Sequence, residues 1–118
     1  MNKEDKELLL KDLCARLPYG VKIQVPYEDG SGYFDEIVWE VNNDGPFHVN
    51  GWGIEYEYVK PYLFPLSSIT KKTLEELSAY IDIKNAYVAV EFFNSHHIDY
   101  RGLIEKGLAI DATGLDIY

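Results

Sequence analysis

Cysteine is almost missing from this sequence: Cys14 stands alone among 118 residues. One thiol closes no internal disulfide and supplies no multi-cysteine zinc site, so a secreted disulfide scaffold is not expected. Long apolar runs are missing too. The opening MNKEDKELLLKDL breaks its leucines with charges and offers neither an export h-region nor a small-residue cleavage site. Nowhere do the roughly 18 apolar residues of a membrane span follow one another. Basic residues are scarce, with 11 Lys and Arg against 20 Asp and Glu and a net charge of -9. Nucleic acids and anionic membranes are bound by clustered Lys and Arg that displace counterions, so neither is expected as a direct partner. The sequence also has no P-loop, dinucleotide fingerprint, G-x-S-x-G elbow, H-E-x-x-H or EF-hand loop. The enzyme classes with readable signatures therefore lack support, and no cofactor is expected.

An apolar fraction of 47% and a charged fraction of 26% suit one globular cytoplasmic domain spanning residues 1–118. Its charge is unevenly placed. Between Lys22 and Lys60 there is no Lys or Arg, yet Glu28, Asp29, Asp35, Glu36, Glu40, Asp44, Glu55 and Glu57 lie there. The same window holds Tyr27, Tyr33, Phe34, Trp39, Phe47, Trp52, Tyr56 and Tyr58, which makes it an acidic, aromatic middle between near-neutral ends.

Periodicity predicts a helix from about Lys3 to Arg16, capped by Asn2 and stopped by Pro18 and Gly20. Its apolar side is read as Leu9, Leu10, Leu13, Cys14 and Leu17, with Lys3, Glu7, Lys11 and Asp12 in water. Three alternating runs predict strands with Val21, Ile23 and Val25, then Ile37, Trp39 and Val41, then Ile54, Tyr56 and Tyr58 facing inward. Turn clusters at Glu28–Gly32 and Asn42–Pro46 separate the first two runs and close the second. Tyr62, Phe64 and Leu66 add a short run that Pro61 and Pro65 confine to an edge or to irregular chain. A helix is expected after Ser68 or Thr70, with Leu74, Leu77 and Ile81 buried. Ala86 to Phe93 suits strand or helix and is read as a helix ending near Ser95. A further helical turn within Asp99–Leu108 stops at Gly107, and the last ten residues read as an extended end.

The stretches Arg16–Lys22 (RLPYGVK), Tyr62–Ser68 (YLFPLSS) and Asn94–Ala109 (NSHHIDYRGLIEKGLA) resemble a group of uncharacterised small proteins from genomes and prophages of gut anaerobic bacteria. The resemblance runs over nearly the whole length, and the tail is its most specific part. It implies a bacterial mobile-element context and a helix before the paired histidines. It brings no catalytic residue. The relatives commonly carry Arg at the position of Phe64, and a Pro can occur within the tail.

Two candidate sites follow from the residues. His96 and His97 with Asp99, joined by His48, offer imidazole and carboxylate groups suited to zinc or iron, or to acid-base work. Adjacent residues diverge by about 100° on a helix, so the competing reading has a histidine capping the helix C-terminus and Asp99 capping the next turn. The second candidate is the polar sheet face, where Glu36, Glu40, Glu55 and Glu57 could gather and receive a basic protein, a polyamine or a cation. Opposed like charges cost stability, although an acidic face can also serve solubility alone. Trp52, between Gly51 and Gly53, reads either as an exposed contact ring or as a lid on one end of the core. Paired carboxylates of a hydrolase would need a concave site, which a flat sheet does not supply.

The expected fold is α+β: an N-terminal helix, an antiparallel meander of three or four strands, and C-terminal helices packed on one sheet face over Ile23, Ile37, Trp39, Ile54 and Tyr56. The leading function is a protein-interaction or accessory module of a mobile element, with Glu36, Glu40, Glu55, Glu57 and Trp52 meeting a basic or mixed protein partner. The alternatives are a small metal-binding protein or enzyme using His96, His97, Asp99 and His48, and a nucleic-acid mimic.

Overall fold

The structure, a computed structural model, describes residues 2–27, 29–38, 40–42, 45–47, 58–69, 75 and 86–118. Helix α1 spans Lys3–Arg16. Asn2 caps it through Oδ1, which accepts the Asp5 amide at 2.7 Å, and Glu4 and Asp5 meet the positive end of the helix dipole. A 3-10 turn, Leu17–Tyr19, ends the helix, and Gly20 reverses the chain at φ 69°, a left-handed conformation that glycine adopts without strain. Leu9 and Leu13 are fully buried, with Leu8, Leu10 and Leu17 packed around them. Two expectations for this helix are overturned. Cys14 is exposed, and Asp12 is fully buried. The stripe that meets the core is Leu9, Asp12, Leu13 and Arg16, a run of i, i+3, i+4 and i+7 positions, so polar residues occupy half of it.

Strand β1, Lys22–Pro26, and strand β2, Tyr33–Ile37, form an antiparallel hairpin in which Ile23 faces Glu36 and Val25 faces Phe34. Its turn is held by the Tyr27 amide on the Gly32 carbonyl (2.9 Å) and by Asp29 Oδ1 on the Ser31 amide (2.9 Å). Strand β3, Glu40–Asn42, and strand β4, Gly45–Phe47, pair in a separate two-stranded sheet. The expected strand through Ile37, Trp39 and Val41 is therefore two strands with a break near Val38. Its first part also has the opposite phase: Val38 is buried and Ile37 exposed, because Phe34, Glu36 and Val38 share the side of Ile23 and Val25. A one-residue shift turns every side chain to the other face. Trp39, Ile54 and Tyr56 lie outside the described residues. Of the run ending at Val59, Tyr58 is exposed and Val59 buried, again the reverse of the expected phase.

The centre of the larger sheet is strand β5, Lys60–Pro65, which corrects the expectation of an edge or irregular run. Its prolines occupy the second and last positions and leave the amides of Tyr62, Leu63 and Phe64 for the ladder. β5 pairs antiparallel with β1 and parallel with two short strands, β6 (Ile98–Asp99) and β7 (Ile110–Asp111). A single peptide group reaches both of the latter: the Leu63 carbonyl accepts the Ala112 amide and the Phe64 amide donates to the His97 carbonyl, each at 2.8 Å. Since C=O and N–H of one peptide point opposite ways, β6 and β7 flank β5 on opposite edges. The result is a mixed five-stranded sheet instead of a meander.

Helix α2, Ala86–Ser95, falls where a helix is expected, whereas the helix expected after Ser68 lies outside the described residues apart from residue 75. Past β6, a single turn closes with the Gly107 amide on the Ile104 carbonyl and the Leu108 amide on the Leu103 carbonyl. This is a Schellman closure, with Gly107 at φ 75° and Leu103 and Leu108 both in the core. The last ten residues, read as an extended end, include the short strand β7, and Tyr118 folds back onto the sheet. The core joins Leu9 and Leu13 of α1 to Val21, Ile23, Val25, Val38, Val59, Leu63, Leu103, Leu108 and Ala109.

Candidate functional site

The outer face of the hairpin carries Lys22 and Gln24 from β1 and Tyr33, Asp35 and Ile37 from β2, because opposed residues of an antiparallel pair project to the same side. Tyr33 is 64% exposed and Ile37 43%, and Tyr27 beside them is 48% exposed while its ring meets Phe34 at 5.1 Å. Asp35 is anchored. Its Oδ1 accepts the Tyr62 hydroxyl at 2.5 Å, and that hydroxyl accepts from Gln24 Nε2 at 3.2 Å. Burial, and then the hydrogen bond to Asp35, push the Tyr62 pKa up to about 12, so the phenol stays a donor. Lys22 turns away from the acids. Its Nζ donates to the Ile117 carbonyl at 2.5 Å and lies 5.8 Å from the centre of the Tyr118 ring.

The carboxylates named from the sequence divide among elements. Glu36 is half-buried on the core side of β2, opposite Ile23, while Glu40 opens β3 and pairs with Phe47. Glu55, Glu57, Trp52 and His48 lie outside the described residues. Asp35, which the sequence analysis does not single out, holds the central outer position instead.

The histidine region is assembled by the end of α2. His96 Nδ1 donates to the Phe92 carbonyl at 2.9 Å, a contact that fixes its tautomer because a carbonyl only accepts, and the imidazole stacks on the Phe92 ring at 4.2 Å. This is the C-terminal capping role that competes with metal ligation. His97 takes the left-handed conformation at φ 58°, is buried, and lies flat on the Tyr118 ring at 3.7 Å and 8°. Its Nδ1 has no hydrogen-bond partner among the described residues. Burial, followed by the charge of Arg16, pulls its pKa down to about 4, so the ring is neutral at pH 7. Tyr118 completes the arrangement: its hydroxyl accepts the Lys22 amide at 2.9 Å and donates to the Tyr62 carbonyl at 2.8 Å. Asp99 caps the next turn with both oxygens, Oδ1 on the Leu103 amide (3.0 Å) and Oδ2 on the Ile104 amide (2.9 Å). His96, His97 and Asp99 are thus committed to three different local tasks. No group of three His, Cys, Asp or Glu able to hold a metal occurs among the described residues.

A third cluster escapes the sequence analysis. Asp12, fully buried, accepts Arg16 Nε at 2.9 Å on Oδ2 and Arg101 Nη1 at 2.8 Å on Oδ1. Arg16 also donates to the carbonyls of Ile98 (2.6 Å) and Phe93 (3.4 Å), which joins α1 to the negative end of α2 and to β6. Tyr100 lies 4.4 Å beneath the Arg101 guanidinium and stacks on Phe93 at 5.5 Å. Beside it, Pro65, Leu66, Ser67, Asp99, Tyr100 and Arg101 border an open cleft of about 480 Å³. The available signal was helical phase: Asp12 and Arg16 continue the Leu9–Leu13 stripe, and a buried Asp–Arg pair at i, i+4 is invisible to a search for apolar residues.

No family model, curated protein or solved structure matches the chain. Its class is that of the fold alone, α+β with a mixed sheet. Among the described residues, no helix is long and apolar enough to cross a membrane.

Proposed function

We propose that this chain is an interaction module, an accessory protein of a bacterial mobile element, whose acidic and aromatic hairpin surface meets a basic protein partner. The observation that supports this reading is the outer face of β1 and β2. Tyr33 and Ile37 stand exposed beside Asp35, while Lys22, the one lysine on that face of β1, is drawn to the Ile117 carbonyl and the Tyr118 ring. Aromatic side chains anchor interfaces through large rigid contact area, and the exposed Asp35 carboxylate steers a cationic partner toward them, with Lys60 two strands away on the same face. The mobile-element context rests on the resemblance of RLPYGVK, YLFPLSS and NSHHIDYRGLIEKGLA to the prophage-associated group.

The test is affinity capture from a lysate of a gut anaerobe, comparing the wild-type chain with Asp35→Lys combined with Tyr33→Ala, two exposed positions of the outer face. Basic proteins bound by the wild type and lost from the variant are the expected result. An identical set of captured proteins removes this surface from the proposal.

A further inference from the structure

Strand β2 ends the larger sheet: β1 pairs with it on one side, and no described strand pairs on the other. The direction of its backbone groups follows from the hairpin. The Tyr27 amide bonds to Gly32 and the Val38 amide to Val21, so the residue pairs between them alternate. Val25 with Phe34 and Ile23 with Glu36 exchange the hydrogen bonds, and the amides and carbonyls of Tyr33, Asp35 and Ile37 point away from β1. Natural edge strands are guarded by charged side chains, proline, a bulge or an inward-pointing charge, and in β2 the guards are the carboxylates Asp35 and Glu36, which repel acidic edges and admit a cationic one. The strand has no lysine, proline or bulge: it is regular, five residues long, reads Tyr-Phe-Asp-Glu-Ile, and exposes Tyr33 and Ile37. The edge that no described strand covers and its charge therefore call for the same kind of partner.

We infer that β2 is a strand-addition site, which takes an extended segment of a partner protein carrying an adjacent Lys/Arg pair flanked by apolar residues. This rests on the interaction-module reading and specifies how that surface is used. The added strand bonds to the outward groups of Tyr33, Asp35 and Ile37. An antiparallel guest with its two basic residues opposite Asp35 and Glu36 sets one cation on each face of the sheet, with an apolar residue next to the pair opposite Ile37 and the second residue on its other side opposite Tyr33. A second copy of this chain is the poorer occupant. Symmetric pairing centred on Asp35 sets that carboxylate against its own copy, between molecules that each carry a net charge of -9.

Two capped synthetic peptides of equal charge test the inference: one with a Lys-Arg pair between valines and threonines, the other with proline replacing the valines beside the pair. The first peptide is expected to bind on the order of tenfold or more tightly than its proline twin. Amide exchange read by NMR gives the positional signature. In the free protein the Phe34 and Glu36 amides are protected while those of Tyr33, Asp35 and Ile37 exchange fast, and the bound peptide slows the latter three. Equal binding of both peptides, abolished by Asp35→Lys with Glu36→Lys, overturns strand addition and leaves the acidic-surface reading standing. Failure of both peptides to bind also overturns strand addition, and the lysate capture then judges the broader reading independently.

Discussion

Asp12 shows how one side chain can organise a small protein. It is the shared acceptor of Arg16 and Arg101, and through Arg16 it ties the first helix to the end of the second and to the short strand at Ile98. The desolvation of such a cluster consumes much of its Coulomb attraction, so its value lies mainly in the penalty for breaking it. Asp12→Leu leaves Arg16 buried without its carboxylate and should cost about 3–5 kcal/mol, read as a lowered urea midpoint. Adding Arg16→Met to that variant should recover most of the loss, while Arg101, partly exposed, can turn to water. A double variant no more stable than Asp12→Leu alone would contradict this account of the cluster.

Among elements, the stretch from Asp99 to Gly107 was the most legible. Asp99 capping the next turn and a stop at Gly107 follow from local rules that a short window of sequence contains, whereas the run Ala86–Phe93 suited strand and helix alike and its helix, ending at Ser95, agrees with what the resemblance implies. The Asp99 carboxylate holds two amides, one of them buried, so Asp99→Ala should lower stability by about 1–3 kcal/mol. Thermal unfolding measures it, and Asp99→Asn, which keeps one acceptor, should lie between Asp99→Ala and the wild type. The sheet was less legible. The phase of β2 depends on Phe34 and Val38 finding the core, and the central place of β5 depends on segments far away in sequence. Alternation in a short run with apolar residues on both faces cannot choose between the two phases. In the candidate site, the acidic and aromatic character was readable from composition. The choice of Asp35 over Glu36 as the outward carboxylate was not, because it turns on that same phase.

At the scale of the whole molecule, the structure is drawn together where Tyr118 lies on His97 and bonds to the backbones of Lys22 and Tyr62, so that the first strand, the central strand and the final residue meet at one point. The buried imidazole there has its pKa lowered to about 4 from 6.5, first by burial and then by Arg16, His96 and Lys22. The unfolded chain therefore takes up the proton first as pH falls, and stability declines between about pH 6.5 and pH 4. Urea midpoints across that range should fall more steeply for the wild type than for His97→Asn, which tolerates the left-handed backbone. Parallel slopes would show that His97 does not govern the acid response.

The position of β5 also bears on how the chain is made. Its flanking strands come from residues 22–26 on one side of the sequence and from 98–99 and 110–111 on the other. A ribosome delivers the N-terminal helix and the hairpin early, but the two parallel staves that flank Lys60–Pro65 emerge only with the last part of the sequence. Until then the nascent chain carries a half-dressed strand whose backbone can pair with a neighbour on the same polysome. At roughly 5–20 residues per second the stretch up to residue 111 takes seconds to emerge, as long as or longer than the pairing itself, so synthesis sets the least interval of exposure.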